Sequence, residues 1–187
     1  MVWDVWARIE AVLRTTAPDL LAALPAGATP EAIRTAEARL GVTLPTDVRE
    51  SYAVHDGSGE VGLVPCELYG LIGVPLHSLS EMVREWQMWQ DWGRDGTDHR
   101  PASPEGPVKA DRYNPRWVPV AWDGSAVNLC IDLDPAPGGV PGQVIYLDHL
   151  NPQCVAAEGW RAFLERYAAA MEAGRLRFEA DELVVDG

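Results

Sequence analysis

Positively charged side chains are scarce in this sequence. Of its 187 residues, 15 are Lys or Arg and 28 are Asp or Glu, which gives a formal net charge of −13. Proteins that bind a nucleic-acid backbone cluster Lys and Arg against the phosphates. The composition therefore argues against a nucleic-acid partner. An acidic surface instead attracts cations and basic proteins, so the partner that we predict is a basic protein.

Cysteine is also rare, and long apolar runs are absent. Cys66, Cys130 and Cys154 are scattered and form no CxxC pair, which excludes a disulfide framework and a zinc knuckle. No apolar run approaches the roughly 20 residues that span a bilayer. The first ten residues carry three charged side chains, unlike an export signal. We therefore expect a cytoplasmic protein with no membrane partner, and we expect Cys130 to be an inert core thiol.

Apolar residues, by contrast, make up 47% of the chain, and eight are Trp. That is enough for one well-buried domain over residues 1–187. Helical spacing marks segments near both ends, at 2–16 and 158–173, while three alternating runs between 117 and 148 predict antiparallel strands. The predicted fold class is therefore α+β, with a central, mostly antiparallel sheet flanked by helices. Residues 93–112 are predicted to form a mobile loop, and the chain ends in a short acidic tail.

Catalytic motifs are few. Asp132 and Asp134 alternate along one predicted strand, where Cβ atoms two residues apart are separated by about 7 Å, and Asp148 follows on the next strand. A divalent ion could bridge such carboxylates if further ligands converged. Alternation alone explains the same residues as the polar face of a half-exposed strand, and we favour that interpretation. A metal-dependent hydrolase is therefore the least favoured hypothesis, and no catalytic residue, metal ligand or cofactor is predicted.

The neighbouring residues His55 and Asp56 offer a second possible site. They could form an orienting pair for a general base. Their position at the end of a predicted helix, before Gly57, is equally typical of a helix-terminal or turn residue, and we favour the structural role.

The segment EWQMWQDW, residues 85–92, is the most unusual local feature. Its three tryptophans repeat at helical spacing, and Met88 lies to one side of that stripe. Trp most often supplies binding energy at protein interfaces, although packing of two of these tryptophans on the sheet is the alternative. We predict a partner-binding surface that combines apolar anchors with carboxylates: Trp89, Trp92, Asp56, Asp132 and Asp134.

Two ordered blocks of the sequence resemble the Smi/Knr branch of the SUKH superfamily. They are ATPEAIRTAEARLGVTLPTDVRESYAVHDG at 28–57 and WVPVAWDGSAVNLCIDLDPAPGGVPGQVIYLDH at 117–149. The resemblance implies an α+β fold and no catalysis. Bacterial members of the superfamily neutralise toxins, often nucleases or nucleic-acid deaminases, whereas fungal members act as hubs in cell-wall signalling. The expected function is therefore an immunity protein that occludes a basic cognate toxin. The alternative is a regulatory scaffold.

Overall fold

A computed structural model describes residues 1–66, 72–95, 103–125, 127–148, 153–179 and 182–185. Its helices are α1 (Val2–Thr16), α2 (Pro18–Ala23), α3 (Pro30–Leu40), α4 (Thr46–Val54), α5 (Leu79–Asp95) and α6 (Trp160–Glu172). Its strands are β1 (Val64–Cys66), β2 (Ile72–Val74), β3 (Trp117–Trp122), β4 (Val127–Asp132), β5 (Gln143–Asp148), β6 (Cys154–Ala157), β7 (Leu176–Glu179) and β8 (Glu182–Val185).

The largest sheet is antiparallel throughout, in the order β3-β4-β5-β6. Two short antiparallel hairpins, β1-β2 and β7-β8, accompany it. The α+β class predicted from the sequence is confirmed, including the three strands that follow one another from Trp117 to Asp148. The described part of the acidic tail forms the β7-β8 hairpin.

One face of the large sheet carries the main core. Along β4, Leu129 and Ile131 share this face, and Tyr146 and Val144 lie opposite them on β5. Helix α1 contributes side chains at helical spacing, Val2, Val5, Trp6, Ile9 and Leu13, all of which are buried. Since these apolar positions form one stripe, α1 packs with one side only and leaves the other side to solvent.

The opposite face of the sheet is covered as well, although the sequence pattern predicted it to be polar and exposed. Cys130, Ile145 and Leu147 lie on this face and form a second apolar cluster with Trp89 of α5, Val108 and Trp117. Cys130 is a buried thiol, as predicted. Its pKa is raised well above the usual value, because burial disfavours the thiolate.

The predicted mobile loop 93–112 begins too early, because α5 continues to Asp95. Residues 96–102 lie outside the described residues. After them the chain runs against the second face of the sheet: Val108 is buried there, and Glu105 pairs with Cys154 of β6 in a parallel bridge. The segment 103–116 therefore covers the second face of the sheet. It contacts β6 at Glu105 and α5 at Pro115.

Helix α4 and the residues directly after it supply carboxylates that bind the first backbone N–H groups of three other helices. Carboxylates of Glu50, Asp47 and Asp56 accept hydrogen bonds from the backbone N–H groups of Val2 in α1, Arg161 in α6 and Leu79 in α5. The first N–H groups of a helix lack partners within it. A carboxylate placed there supplies one and interacts favourably with the helix dipole. One short segment thereby fixes the positions at which three helices begin.

Candidate functional site

Asp132 is buried, which corrects its prediction as a surface carboxylate. Its Oδ1 accepts hydrogen bonds from Trp117 Nε1 at 3.0 Å and from the backbone N–H of Asp134 at 2.9 Å. Its Oδ2 accepts from Gln143 Nε2 at 2.9 Å. Burial raises the pKa of Asp132, while these three donors favour the ionised form and oppose the rise. The buried side chain of Asp132 therefore links β4 to both neighbouring strands, β3 and β5, through hydrogen bonds.

The three aspartates proposed for a metal site do not converge. In the register of β4 and β5, Asp132 lies opposite Gln143, whereas Asp148 lies opposite Val127. The two aspartates are thus at opposite ends of the strand pair, five residues or about 17 Å apart. They also lie on opposite faces, since side chains alternate along each strand. They cannot bind one ion together, and no other group of three His, Cys, Asp or Glu within the described ranges could do so.

Trp89, predicted as a partner anchor, is also buried and offers no surface to a partner in this fold. The indole has no exposed surface and packs in the second apolar cluster. Its Nε1 donates a hydrogen bond of 2.9 Å to Glu85 Oε1, one helical turn earlier. Glu85 is buried with it, and burial raises the pKa of this carboxyl. The physical reason is that segment 103–116 closes over this side of α5, which the helical spacing alone does not reveal.

Trp92 remains on the surface, with 43% of its area exposed. Its ring contacts Tyr113 edge to face, with the ring centroids 6.3 Å apart. Gly93 permits this approach, because a Cβ atom at that position would lie only 3.2 Å from the Cβ of Tyr113. Tyr113 was not predicted, since it lies between the predicted loop 93–112 and the first alternating run, where no periodic pattern marks it.

Asp134 lies beside this aromatic pair. Its Oδ1 contacts Lys109 Nζ at 2.6 Å, and its Oδ2 accepts a hydrogen bond of 3.1 Å from Asn114 Nδ2, one residue after Tyr113. The hydrogen bond from Lys109 lowers the pKa of Asp134. Of the five predicted residues, Trp92 is exposed and Asp134 is partly exposed, and segment 103–116 lies against both. We call Trp92, Tyr113, Lys109 and Asp134 the Trp92 surface.

Asp56 lies apart from the Trp92 surface and has a structural role. Its Oδ1 accepts a hydrogen bond of 2.8 Å from the backbone N–H of Leu79, at the first residue of α5. His55 does not pair with it: the imidazole contacts Glu10 Oε1 at 3.1 Å and the carbonyl of Pro25 at 2.8 Å. The geometry therefore supports the favoured structural interpretation of both residues.

Replacing Asp56 by alanine is expected to lower the free energy of unfolding by about 1 kcal/mol, the usual contribution of a helix cap. Asp56→Asn keeps an oxygen acceptor and is expected to retain most of that stability. Urea unfolding followed by circular dichroism measures both variants. An Asp56→Ala protein as stable as the parent would contradict the capping role.

A second exposed tryptophan lies on α1. Trp3 has 53% of its surface exposed, and Met1 beside it has 57%. None of the five residues predicted to bind a partner lies on this helix. Trp3 therefore offers a comparison for Trp92, because the same residue type is at least as accessible on a different helix.

Comparison with known proteins identifies a family. A family model described as "SMI1 / KNR4 family (SUKH-1)" matches residues 27–166. The chain is 32% identical over 195 residues to the "Cell wall biosynthesis/cell cycle regulator smi1" of Schizosaccharomyces pombe, covering 97% of this chain and 38% of that protein. It is 25% identical over 202 residues to the "Cell wall assembly regulator SMI1" of Saccharomyces cerevisiae, covering 90% and 40%.

A "Glucan synthesis regulatory protein" of Neurospora crassa is also 25% identical, over 212 residues that cover 94% of this chain and 39% of that protein. The chain thus spans about two fifths of the length of these three relatives. None of the helices in the described residues is long and apolar enough to cross a membrane.

Proposed function

The chain belongs to the SMI1/KNR4 family (SUKH-1), and from that premise we propose that it is a non-catalytic regulatory module that acts by binding other proteins. The observation that carries this proposal is the likeness, over at least 90% of the chain, to proteins named as regulators of cell-wall biosynthesis or assembly. The separation of Asp132 from Asp148 supports it further, because the hydrolase hypothesis required these two aspartates to bind one metal ion.

The net charge of −13 indicates the kind of partner. Summed surface charge steers oppositely charged proteins into encounter and makes their association faster at low salt. The partner of this module is therefore a protein with a basic contact surface. Partly exposed carboxylates such as Asp134 would contribute to the encounter, and exposed aromatic rings such as Trp92 would contribute to the affinity.

Neutralisation of a basic toxin is the second candidate. The same acidic charge favours it, since a nuclease carries a basic surface for phosphate that carboxylates complement. The relatives named above are regulators rather than immunity proteins. We therefore place the regulatory module first and toxin occlusion second.

A pull-down from extracts of the producing cells distinguishes the two candidates. The immobilised chain is incubated at low and at moderate salt, and retained proteins are identified by mass spectrometry. Cell-wall or signalling proteins that bind less well as salt rises are the expected result. A single basic nuclease or deaminase would instead select toxin neutralisation.

An unrelated folded protein of equal net charge serves as the control bait. Proteins that are held by charge alone bind to both baits and are therefore excluded as specific partners. Recovery of the same proteins on both baits, or of none on either, would contradict the proposed function.

A further inference from the structure

Helix α1 exposes apolar side chains on the side that faces away from the core. Trp3, Ala7 and Ala11 follow one another at intervals of four residues, which places them on one side of the helix. All three are exposed, and Trp3 has 53% of its surface accessible. The buried stripe from Val2 to Leu13 occupies the opposite side. A large aromatic side chain among exposed apolar neighbours is typical of a protein contact surface.

A groove lies on the same surface, between α1 and α6. Its volume is about 580 Å³, and its lining includes Ala7 and Ala11 of α1 together with Met171 and Gly174 at the end of α6. Sites that accept a small organic group have volumes of roughly 300–1,000 Å³, so the groove has room for an indole ring. The outer surface of α1 therefore combines a projecting side chain, Trp3, with a groove that begins one helical turn later.

The charged groups of α1 all have oppositely charged neighbours within the same chain. The N–O distances are 3.0 Å between the α-amino group of Met1 and Asp4, 2.6 Å between Arg8 and Glu172, and 3.8 Å between Arg14 and Glu10. Positive and negative groups thus lie side by side along the helix, although the chain as a whole carries a net charge of −13.

The adjoining surface of α6 is occupied in a similar way. Arg161 pairs with Glu165 at 2.8 Å, and Arg166 donates a hydrogen bond to a backbone carbonyl of β6. The carboxylates of Asp47 and Glu50 accept hydrogen bonds from backbone N–H groups at the starts of α6 and α1. A partner with charge of one sign would meet both signs here, so charge does not select such a partner. Two copies of the chain can meet on this surface with little local repulsion.

We propose that α1 forms the interface of a homodimer, in which Trp3 of each copy packs into the groove between α1 and α6 of the other. In an interface with two-fold symmetry, the same surface of both copies makes each contact twice. A two-fold axis that passes near Ala7, between Trp3 and the groove, forms both contacts at once. The methyl side chain of Ala7 lets the two helices approach closely. This inference goes beyond the proposed function and does not depend on it.

Self-complementarity selects a second copy as the occupant. One surface carries both the projecting indole and the groove that can receive it, so a second copy supplies both parts of the contact. The net charge of −13 opposes association at long range, but salt screens exposed charges beyond about 8 Å at physiological ionic strength. A single helix surface gives a small interface, and we therefore expect a weak, reversible dimer.

Sedimentation velocity of the intact chain tests for the dimer. Over protein concentrations from about 1 to about 300 μM, which span weak association, the sedimentation coefficient is expected to rise from that of a monomer towards that of a dimer. Raising the salt from about 0.05 to about 0.5 M is expected to strengthen self-association, because it screens the repulsion between the two copies. Binding of a basic partner is expected to weaken under the same change, so the two associations are distinguishable.

Substitutions on each side of the contact test its geometry. Trp3→Ala is expected to weaken self-association roughly tenfold or more, as for a tryptophan at the centre of an interface. Trp92→Ala, the matched control on α5, is expected to change it less than about twofold. Ala11→Glu and Ala11→Gln keep a good helix former at this position but extend a side chain into the groove. Both are expected to weaken self-association, which separates blocking of the groove from added charge.

A mixture of two variants gives the sharpest test. Trp3→Ala retains an open groove, and Ala11→Gln retains the indole. Neither variant can form the contact with itself, but one copy of each restores one of the two contacts. With one variant fluorescently labelled, the mixture is expected to associate more tightly than either variant alone. Circular dichroism verifies that each variant is folded.

Three results would overturn the proposal. They are a sedimentation coefficient that stays that of a monomer over the whole concentration range, equal effects of the Trp3 and Trp92 substitutions, and a mixture that associates no more tightly than its components. A chain that remains monomeric while the pull-down retains a specific partner disproves the dimer and leaves the proposed function standing.

Discussion

Replacing Asp132 by alanine is expected to lower the free energy of unfolding by about 3 kcal/mol. The substitution removes the acceptor for three N–H groups, on Trp117, Gln143 and Asp134, at a position where Asp132 has no exposed surface. Buried donors left without an acceptor cost about 1–3 kcal/mol each. Removal of a buried negative charge offsets part of that cost. Urea denaturation followed by tryptophan fluorescence and circular dichroism measures the difference.

Asp134 provides the matched control for Asp132. It is the same residue type, two positions along the chain, and its ion pair with Lys109 is about two fifths exposed. Exposed ion pairs contribute about 0–1 kcal/mol, so Asp134→Ala is expected to have a small effect. Equal losses for the two substitutions, or no loss for Asp132→Ala, would contradict the assignment of Asp132 as a buried link between strands.

The pH dependence of stability offers a second check on Asp132. Its pKa is raised in the folded protein by burial, so the folded state binds this proton more readily than the unfolded chain does. Its contribution to stability is therefore present at low pH and is lost as pH rises through the raised folded pKa. Asp132→Asn cannot titrate and lacks this contribution. The free energy of unfolding of the parent, relative to that of Asp132→Asn, is thus expected to fall as pH rises through the folded pKa of Asp132.

The backbone of the central sheet could be predicted from sequence because its signal is local. Alternating apolar residues between Trp117 and Asp148 specify strands, and the turns between them join neighbours into an antiparallel arrangement. Helix α1 was predicted for the same reason, since its buried stripe repeats at helical spacing. Patterns of this kind require no knowledge of distant residues.

Whether each face of the central sheet is buried or exposed could not be predicted from the local sequence pattern. Alternation separates Leu129 and Ile131 from Cys130 and Asp132, but it does not say whether the second face is covered. The cover comes from α5 and residues 103–116, which are distant in sequence. One signal was available: Cys130 was predicted to be a core thiol and Asp132 a surface group, although both point to the same side of β4. Two such neighbours indicate a covered face.

The candidate surface was partly predictable for a related reason. Three tryptophans on α5 indicated that one helix serves both core and surface, but the spacing could not assign Trp89 to the core and Trp92 to solvent. That division depends on where segment 103–116 lies. Tyr113 and Lys109 belong to this segment and have no periodic pattern, so only the folded arrangement links them to Trp92 and Asp134.

Replacing Trp89 by alanine is expected to lower the free energy of unfolding by about 4 kcal/mol. Deleting a fully buried aromatic side chain removes its transfer free energy and leaves a cavity, which together cost about 3–5 kcal/mol. The cavity would lie between α5 and the second face of the sheet, next to Val108, Trp117 and Cys130. The substitution also leaves Glu85, a buried carboxyl, without its hydrogen bond from the indole. Thermal and urea unfolding measure the loss.

Trp92→Ala is the natural comparison, because the two indoles lie less than one helical turn apart on α5. With 43% of its surface exposed, Trp92 buries less area, and its loss is expected to cost about 1 kcal/mol or less. The two variants therefore separate stability from binding. Trp89→Ala is expected to weaken partner binding only in proportion to the fraction that unfolds, whereas Trp92→Ala is expected to weaken it in a fully folded protein. If Trp89→Ala proved as stable as the parent, residues 103–116 would not close over α5, and the division between core and surface on this helix would have to be reversed.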